Sequence, residues 1–159
     1  MNDFESIFNS LDSIDKKCIN AYRRAREFKN LSIQPLIYMD GRYFPVFIAS
    51  MVNGLFSCEL FLKSIVILND KKIPTGHSLK KLLEKTNLDI EVKNKLNNYS
   101  FDEELKKIDN SFTEWRYCYE KDTLTINRGF VNEFCDVLEE IVRKRIFDIY
   151  HLDMDQSFL

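Results

Sequence analysis

"YFPVFIASMVNGLFSCELFLKSIVILND", residues 43–70, decides how the rest of this chain is read. A helix on a protein surface shows one apolar stripe, whereas this segment is apolar on nearly every side. Its length favours helix over strand, because short apolar runs alone are ambiguous. The segment therefore predicts a central helix that other helices must cover. Asn53, Ser57, Glu59 and Lys63 interrupt the apolar run from Phe44 to Leu68. Such interruptions suit a buried core helix better than a membrane span. Gly54 weakens a helix interior, and its use there would be to let a neighbour approach closely.

The segments on either side supply the cover. Upstream, Phe4, Ile7, Phe8, Leu11, Ile14, Cys18, Ala21, Ala25 and Phe28 recur in steps of three and four, which predicts one amphipathic helix over residues 3–30. Arg23, Arg24, Arg26 and Lys29 gather in its last turns, where the helix dipole favours cations. That placement explains the basic cluster without nucleic acid. "LSIQPLIYMDGRY" reads as a loop with a turn near Gly41, broken by Pro35 and Asp40-Gly41. Downstream, Pro74 and Gly76 make a turn and Ser78 is suited to cap a short helix. Another short helix is expected over Ile90–Leu96. The spacing of Phe101, Leu105, Ile108, Phe112, Trp115 and Tyr119 predicts a long helix to Glu120. A last one runs from about Arg128 to Tyr150, with Phe130, Phe134, Val137, Leu138, Ile141 and Val142 as its stripe. The tail from His151 is expected to fray or to dock on a partner.

No β alternation persists, so the expectation is all-α: an antiparallel bundle of four long helices plus one or two short ones. It would be a single domain over residues 1–159, with its core at roughly 3–150. The chain's 159 residues suit one sizeable core. Its 23 basic and 25 acidic residues nearly cancel, so no bulk basic field draws it to nucleic acid. The widely spaced Cys18, Cys58, Cys118 and Cys135 form no C-x-x-C pair and no Cys/His metal spacing. With no secretory signal pattern, reduced thiols, a cytoplasmic location and no metal or cofactor are expected.

Some polar residues are hard to place in such a core. Glu59 has Leu55, Phe56 and Leu62 as helical neighbours, so its carboxylate needs a partner. Lys63, four residues on, would make a pair at the helix edge. Arg116, one residue beyond Trp115 at the border of the apolar stripe, could instead reach it from another helix and keep donors for an anion. A surface Arg116–Glu120 pair is the alternative. His77 stands where a helix begins. It suits either a turn-capping hydrogen bond or a general base beside an anion. Lys80 and Lys81 oppose the dipole at that helix start unless an anion lies close. Tyr117 faces away from the stripe that holds Tyr119 and suits stacking or hydrogen bonding.

"NGLFSCELFLKSIVI", then "KKIPTGHSLKKLLEK", then "FTEWRYCYE" resemble, in this order, the HEPN superfamily of prokaryotic helical bundles. The likeness spans roughly residues 45–142. It implies a helical bundle, often a homodimer, with polar residues facing a cleft at the dimer interface. Many members of that family are metal-independent endoribonucleases. Others are non-catalytic modules, including partners of nucleotidyltransferases, in toxin–antitoxin and antiviral systems. Catalytic members carry Arg, four to six residues, then His, the arginine holding the scissile phosphate and the histidine handling a proton of the 2′-hydroxyl. Arg116 falls at the arginine position here, but residues 117–123 hold no histidine. Arg145 and His151 satisfy the spacing only at the end of the last helix, after the place where the motif belongs.

Three functions follow as expectations. One is a binding module for RNA, a nucleotide or a partner protein, using Glu59, Lys63, His77, Arg116, Tyr117 and Glu120. Another is an endoribonuclease with Arg116 and His77 as its catalytic pair. The last is a ligand-free scaffold in which the polar group fixes helix register.

Overall fold

The computed structural model describes residues 3–33, 36–40, 42–45, 47–109 and 126–155. What reads as one N-terminal helix is two. Asp12 breaks it, its carboxylate accepting the amide N–H groups of Ile14 and Asp15 at 2.9 and 2.8 Å. Helix α1 is Asp3–Ser10 and α2 is Ser13–Ser32. An apolar spacing that continues through a cap hides the break, because Leu11 and Ile14 still fit the stripe.

The expected loop carries a small antiparallel hairpin, β1 Leu36–Met39 and β2 Arg42–Pro45, with Leu36 opposite Pro45 and Met39 opposite Arg42. Asp40, at φ 49°, turns the chain between them. Asp-Gly between two short runs is a hairpin signal, which the lack of alternation in "LIYM" obscures. The strand also takes the first residues of the long apolar segment, so α3 begins at Phe47 and ends at Asp70.

Helix α3 is the centre, as its composition predicts. It is long and apolar enough to cross a membrane, yet 14 of its 24 residues are buried in the protein. Ser50, Ser57 and Ser64 recur every seven residues along it. Each hydroxyl donates to a backbone carbonyl of α2: Ser50 to Ser32, Ser57 to Ala25 at 2.8 Å, and Ser64 to Cys18 at 3.0 Å. The ladder makes α2 and α3 antiparallel. Small side chains let the backbones close in, and no buried hydroxyl in the ladder lacks an acceptor.

Four further helices follow among the described residues: α4 Leu79–Thr86, α5 Asp89–Lys95, α6 Phe101–Ile108 and α7 Arg128–Tyr150. Helix α7 runs parallel to α3, its contacts rising together from Gly54 and Val131 to Asn69 and Arg145. A Cβ on Gly54 would stand 3.1 Å from Val131 Cγ1 and 3.4 Å from Ser32 Cβ, so the glycine does permit a three-helix approach. Cys135 Sγ donates to the Gly54 carbonyl at 3.2 Å and lies 3.1 Å from Cys58 Sγ. Phe101, Phe130 and Phe134 pack as an aromatic layer between α6 and α7. The long helix expected to Glu120 is described as α6 alone, since residues 110–125 lie outside the described ones. Beyond α7, residues 151–155 dock on the chain's own core rather than fraying: Leu152 and Met154 are buried, and Arg26 donates to the Met154 carbonyl. The protein is therefore helical, with a minor hairpin.

Candidate functional site

Glu59 sits in the middle of α3 and is fully buried. Its Oε1 receives two donors. Lys63 Nζ, one helical turn on, lies at 2.7 Å, and His77 Nδ1 lies at 3.0 Å. The expected Glu59–Lys63 pair therefore exists, but it is not at a helix edge. The carboxylate is inside, and Lys63 keeps 19% of its side chain exposed. The other oxygen, Oε2, is buried and has no hydrogen-bond partner among the described residues. A carboxylate in this position is costly unless its partners are well placed, because burial removes its hydration.

His77 reaches Glu59 from the loop between α3 and α4. Gly76, at φ 90°, turns the chain just before it, and buried Pro74 anchors the start of the turn. The ring is 56% exposed, so a surface imidazole rests on an interior carboxylate. A carboxylate only accepts, so Nδ1 carries the hydrogen of this bond. In the neutral ring, Nε2 then holds the lone pair. The arrangement can orient an imidazole for proton transfer and set an ammonium beside it for an anion.

Helix α4 starts next to His77. Ser78 caps it, accepting the Lys81 amide at 3.1 Å. The anion that Lys80 and Lys81 call for is Asp109, at the end of α6. Its Oδ1 accepts from the Ser78 hydroxyl at 2.8 Å and from the Lys80 amide at 2.7 Å. No sequence signal links Asp109 to residues thirty positions earlier. This helix start is thereby satisfied from within the chain.

The basic cluster of α2 has partners as well. Arg26 Nε lies 2.9 Å from Glu139 Oε1, and Lys29 Nζ contacts Glu139 Oε2 at 2.5 Å and Asp136. Burial works against the Lys29 charge, but Asp136 and Glu139 outweigh it and hold the ammonium above its ordinary range. These cations thus tie α2 to α7, a role that the dipole argument misses.

Of the sequence-derived site residues, Glu59, Lys63 and His77 converge. Arg116, Tyr117 and Glu120 lie outside the described residues, together with Trp115 and Tyr119. Arg145 donates to Asn69 at 3.2 Å and His151 closes α7 in a left-handed conformation, so the formal Arg-x5-His match is spread over two structural tasks. Among the described residues, no three His, Cys, Asp or Glu side chains gather to hold a metal. Buried Cys18 has its thiol pushed up to about 11, and burial holds Cys58 well above its ordinary value, which leaves both inert as nucleophiles near neutral pH. In comparisons with family models, curated proteins and solved structures, the chain finds no match.

Proposed function

We propose that the chain is a HEPN-like module, of the four-helix bundle type, that binds RNA or a nucleotide at Glu59, Lys63 and His77. It acts in the cytoplasm as a homodimer within a prokaryotic defence or toxin–antitoxin system, with a nucleotidyltransferase or another defence protein as partner. Arg116, with Tyr117 and Glu120 near it in sequence, adds a guanidinium for phosphate. The supporting observation is the fully buried Glu59 carboxylate that holds an exposed imidazole and a part-exposed ammonium together. Stability alone gives little reason to keep such a group, since apolar replacements of buried ion pairs are often neutral or stabilising.

Titration of labelled single-stranded RNA and of a nucleoside triphosphate into the full chain, followed by anisotropy and calorimetry, tests this reading. Lys63→Ala, His77→Ala and Arg116→Ala should each weaken binding at least tenfold while helicity is kept. Wild-type binding by all three would discard the site. Arg116→Ala that retains full activity in a cellular toxicity or defence assay would discard the role assigned to that residue.

A second reading is favoured by one contact, the carboxylate on His77 Nδ1. In that case the protein is a metal-independent endoribonuclease. Arg116 holds the scissile phosphate, His77 takes the 2′-hydroxyl proton, and the 2′-oxygen displaces the 5′-oxygen of the next nucleotide. RNA incubated with a chelator should then yield 2′,3′-cyclic phosphate ends. Cleavage that survives His77→Ala unchanged would end this reading.

A further inference from the structure

A second feature lies between α2 and α3, where a groove of about 400 Å³ is lined on both sides. The α2 wall is Lys17, Ala21, Arg24 and Phe28, with Asn20 beside them, and Ile73 and Pro74 border the groove from the segment after α3. The α3 wall is Phe56, Leu60, Lys63 and Ile67. Both walls step by four, three and four residues, so each is one continuous helical stripe. Lys17 to Phe28 spans eleven residues, or about 16 Å along the axis. At one end Phe28 and Phe56 pack edge to face at 4.6 Å. Ala21, small and half-buried, leaves the middle low. This is the reverse side of the pair from a packed core: a two-helix groove with three turns of apolar floor, on which none of the other described helices supplies a lining residue.

Charge limits what can fill it. Lys17 and Arg24 stand along the rim beside Lys63, whose ammonium is held by Glu59, and no acidic side chain among the described residues lines the groove. Lys17 has no acidic partner among the described residues. Among the described residues Arg24 is paired with exposed Glu27 on its own helix, an arrangement of small energetic value. Two copies of this chain meeting through the same face would set like charges together. A helix laid into a two-helix groove meets it through anchors at i, i+4 and i+7. We propose that the groove receives an amphipathic helix of a partner protein, its apolar stripe flanked by carboxylates. The inference does not depend on the phosphate site, although Lys63 borders both.

The probe is a fluorescein-labelled synthetic helix with leucines at i, i+4, i+7 and i+11 and glutamates beside them. A counterpart carries lysine at each glutamate. Anisotropy with the full chain should show the acidic helix binding at least tenfold more tightly than the basic one. The exposed double variant Lys17→Glu/Arg24→Glu should reverse that preference, and Ala21→Trp should weaken the acidic helix at least tenfold, both with wild-type circular dichroism. His77→Ala should leave peptide affinity unchanged, which separates this test from that of the phosphate site. A preference untouched by charge reversal overturns the proposal. So does a groove that binds dodecyl phosphate or an oligoribonucleotide in an Ala21-dependent way while ignoring the helix, or Ala21→Trp that changes only the sedimentation mass. If Ala21→Trp does not fold, the surface double variant decides alone.

Discussion

Glu59 and Glu139 are both carboxylates that hold two cationic or potentially cationic groups, and they differ in burial and in how their oxygens are filled. Glu139 has both oxygens filled, Oε1 by Arg26 and Oε2 by Lys29, and keeps 17% of its side chain exposed. Glu59 is wholly buried, yet both of its donors crowd onto Oε1 and Oε2 has no partner among the described residues. The Glu139 cluster fastens α2 to α7 with both acceptors filled, whereas the Glu59 cluster leaves one acceptor short. The deeper carboxylate is thus the less satisfied one, against the expectation that buried polar groups are paired first.

The largest effect should separate the two clusters. Lys63→Met removes the nearest cation from an interior carboxylate and should cost about 3 kcal/mol. Lys29→Met leaves Glu139 with Arg26 and with water, and should cost about 1 kcal/mol. Urea denaturation of both variants measures the difference, and equal losses would break the distinction. Next in size is Glu59→Gln, which keeps the shape and removes the charge. It should change stability by no more than about 1 kcal/mol while RNA or nucleotide binding falls at least tenfold. Lost stability with intact binding would instead identify the group as a scaffold element.

A third cluster gives a pH test of the fastening type. Asp15, Lys71 and Tyr150 join α2, the end of α3 and α7. Burial raises the Asp15 pKa, but hydrogen bonds from Lys71 and Tyr150 outweigh it and leave the carboxyl below its ordinary value. Its contribution is therefore present above the unfolded value and is lost as pH falls through the folded one. Burial and the bond to Asp15 push Tyr150 up to about 12. The unfolded tyrosine ionises first, so stability declines as pH rises from about 10 toward 12. Asp15→Asn should flatten the acid limb of a melting-temperature profile, and Tyr150→Phe the alkaline one.

Much of the frame is legible in the sequence because it is local. An all-round apolar segment requires a central helix, Gly54 requires a close neighbour, and Ser78 announces a cap. The bounds of α7 follow from its stripe. What is not legible is pairing across distance. Ser57 is visible as a polar interruption, but the acceptors of Ser50, Ser57 and Ser64 on α2 appear only once the register is known. Asp109 at the α4 start and Glu139 on Arg26 are equally remote. For the site, Glu59 and Lys63 share a helix turn and could be paired on paper. His77 could be suspected, but its contact depends on how Gly76 turns the chain. The Asp12 cap and the hairpin carried local signals, which the stronger apolar spacing masked.

The smallest predicted effect asks whether an unpartnered atom always marks a site. Tyr22 Oη is as buried as Glu59 Oε2 and likewise lacks a hydrogen bond. Yet Tyr22 is neutral, packs its ring against Phe61 at 5.6 Å, and has its ionisation pushed up by burial. Its unmade bond is a desolvation loss with no charge to present and no group to orient. Tyr22→Phe should therefore stabilise the protein slightly, by about 1 kcal/mol or less, and leave ligand binding unchanged. Calorimetric melting together with the RNA titration checks both parts. A stabilised variant would class Tyr22 as a packing flaw and set it apart from Glu59, where a charge and two donors converge. A destabilised variant would mean that the hydroxyl has a partner after all, and the contrast with Glu59 Oε2 would then lose its force.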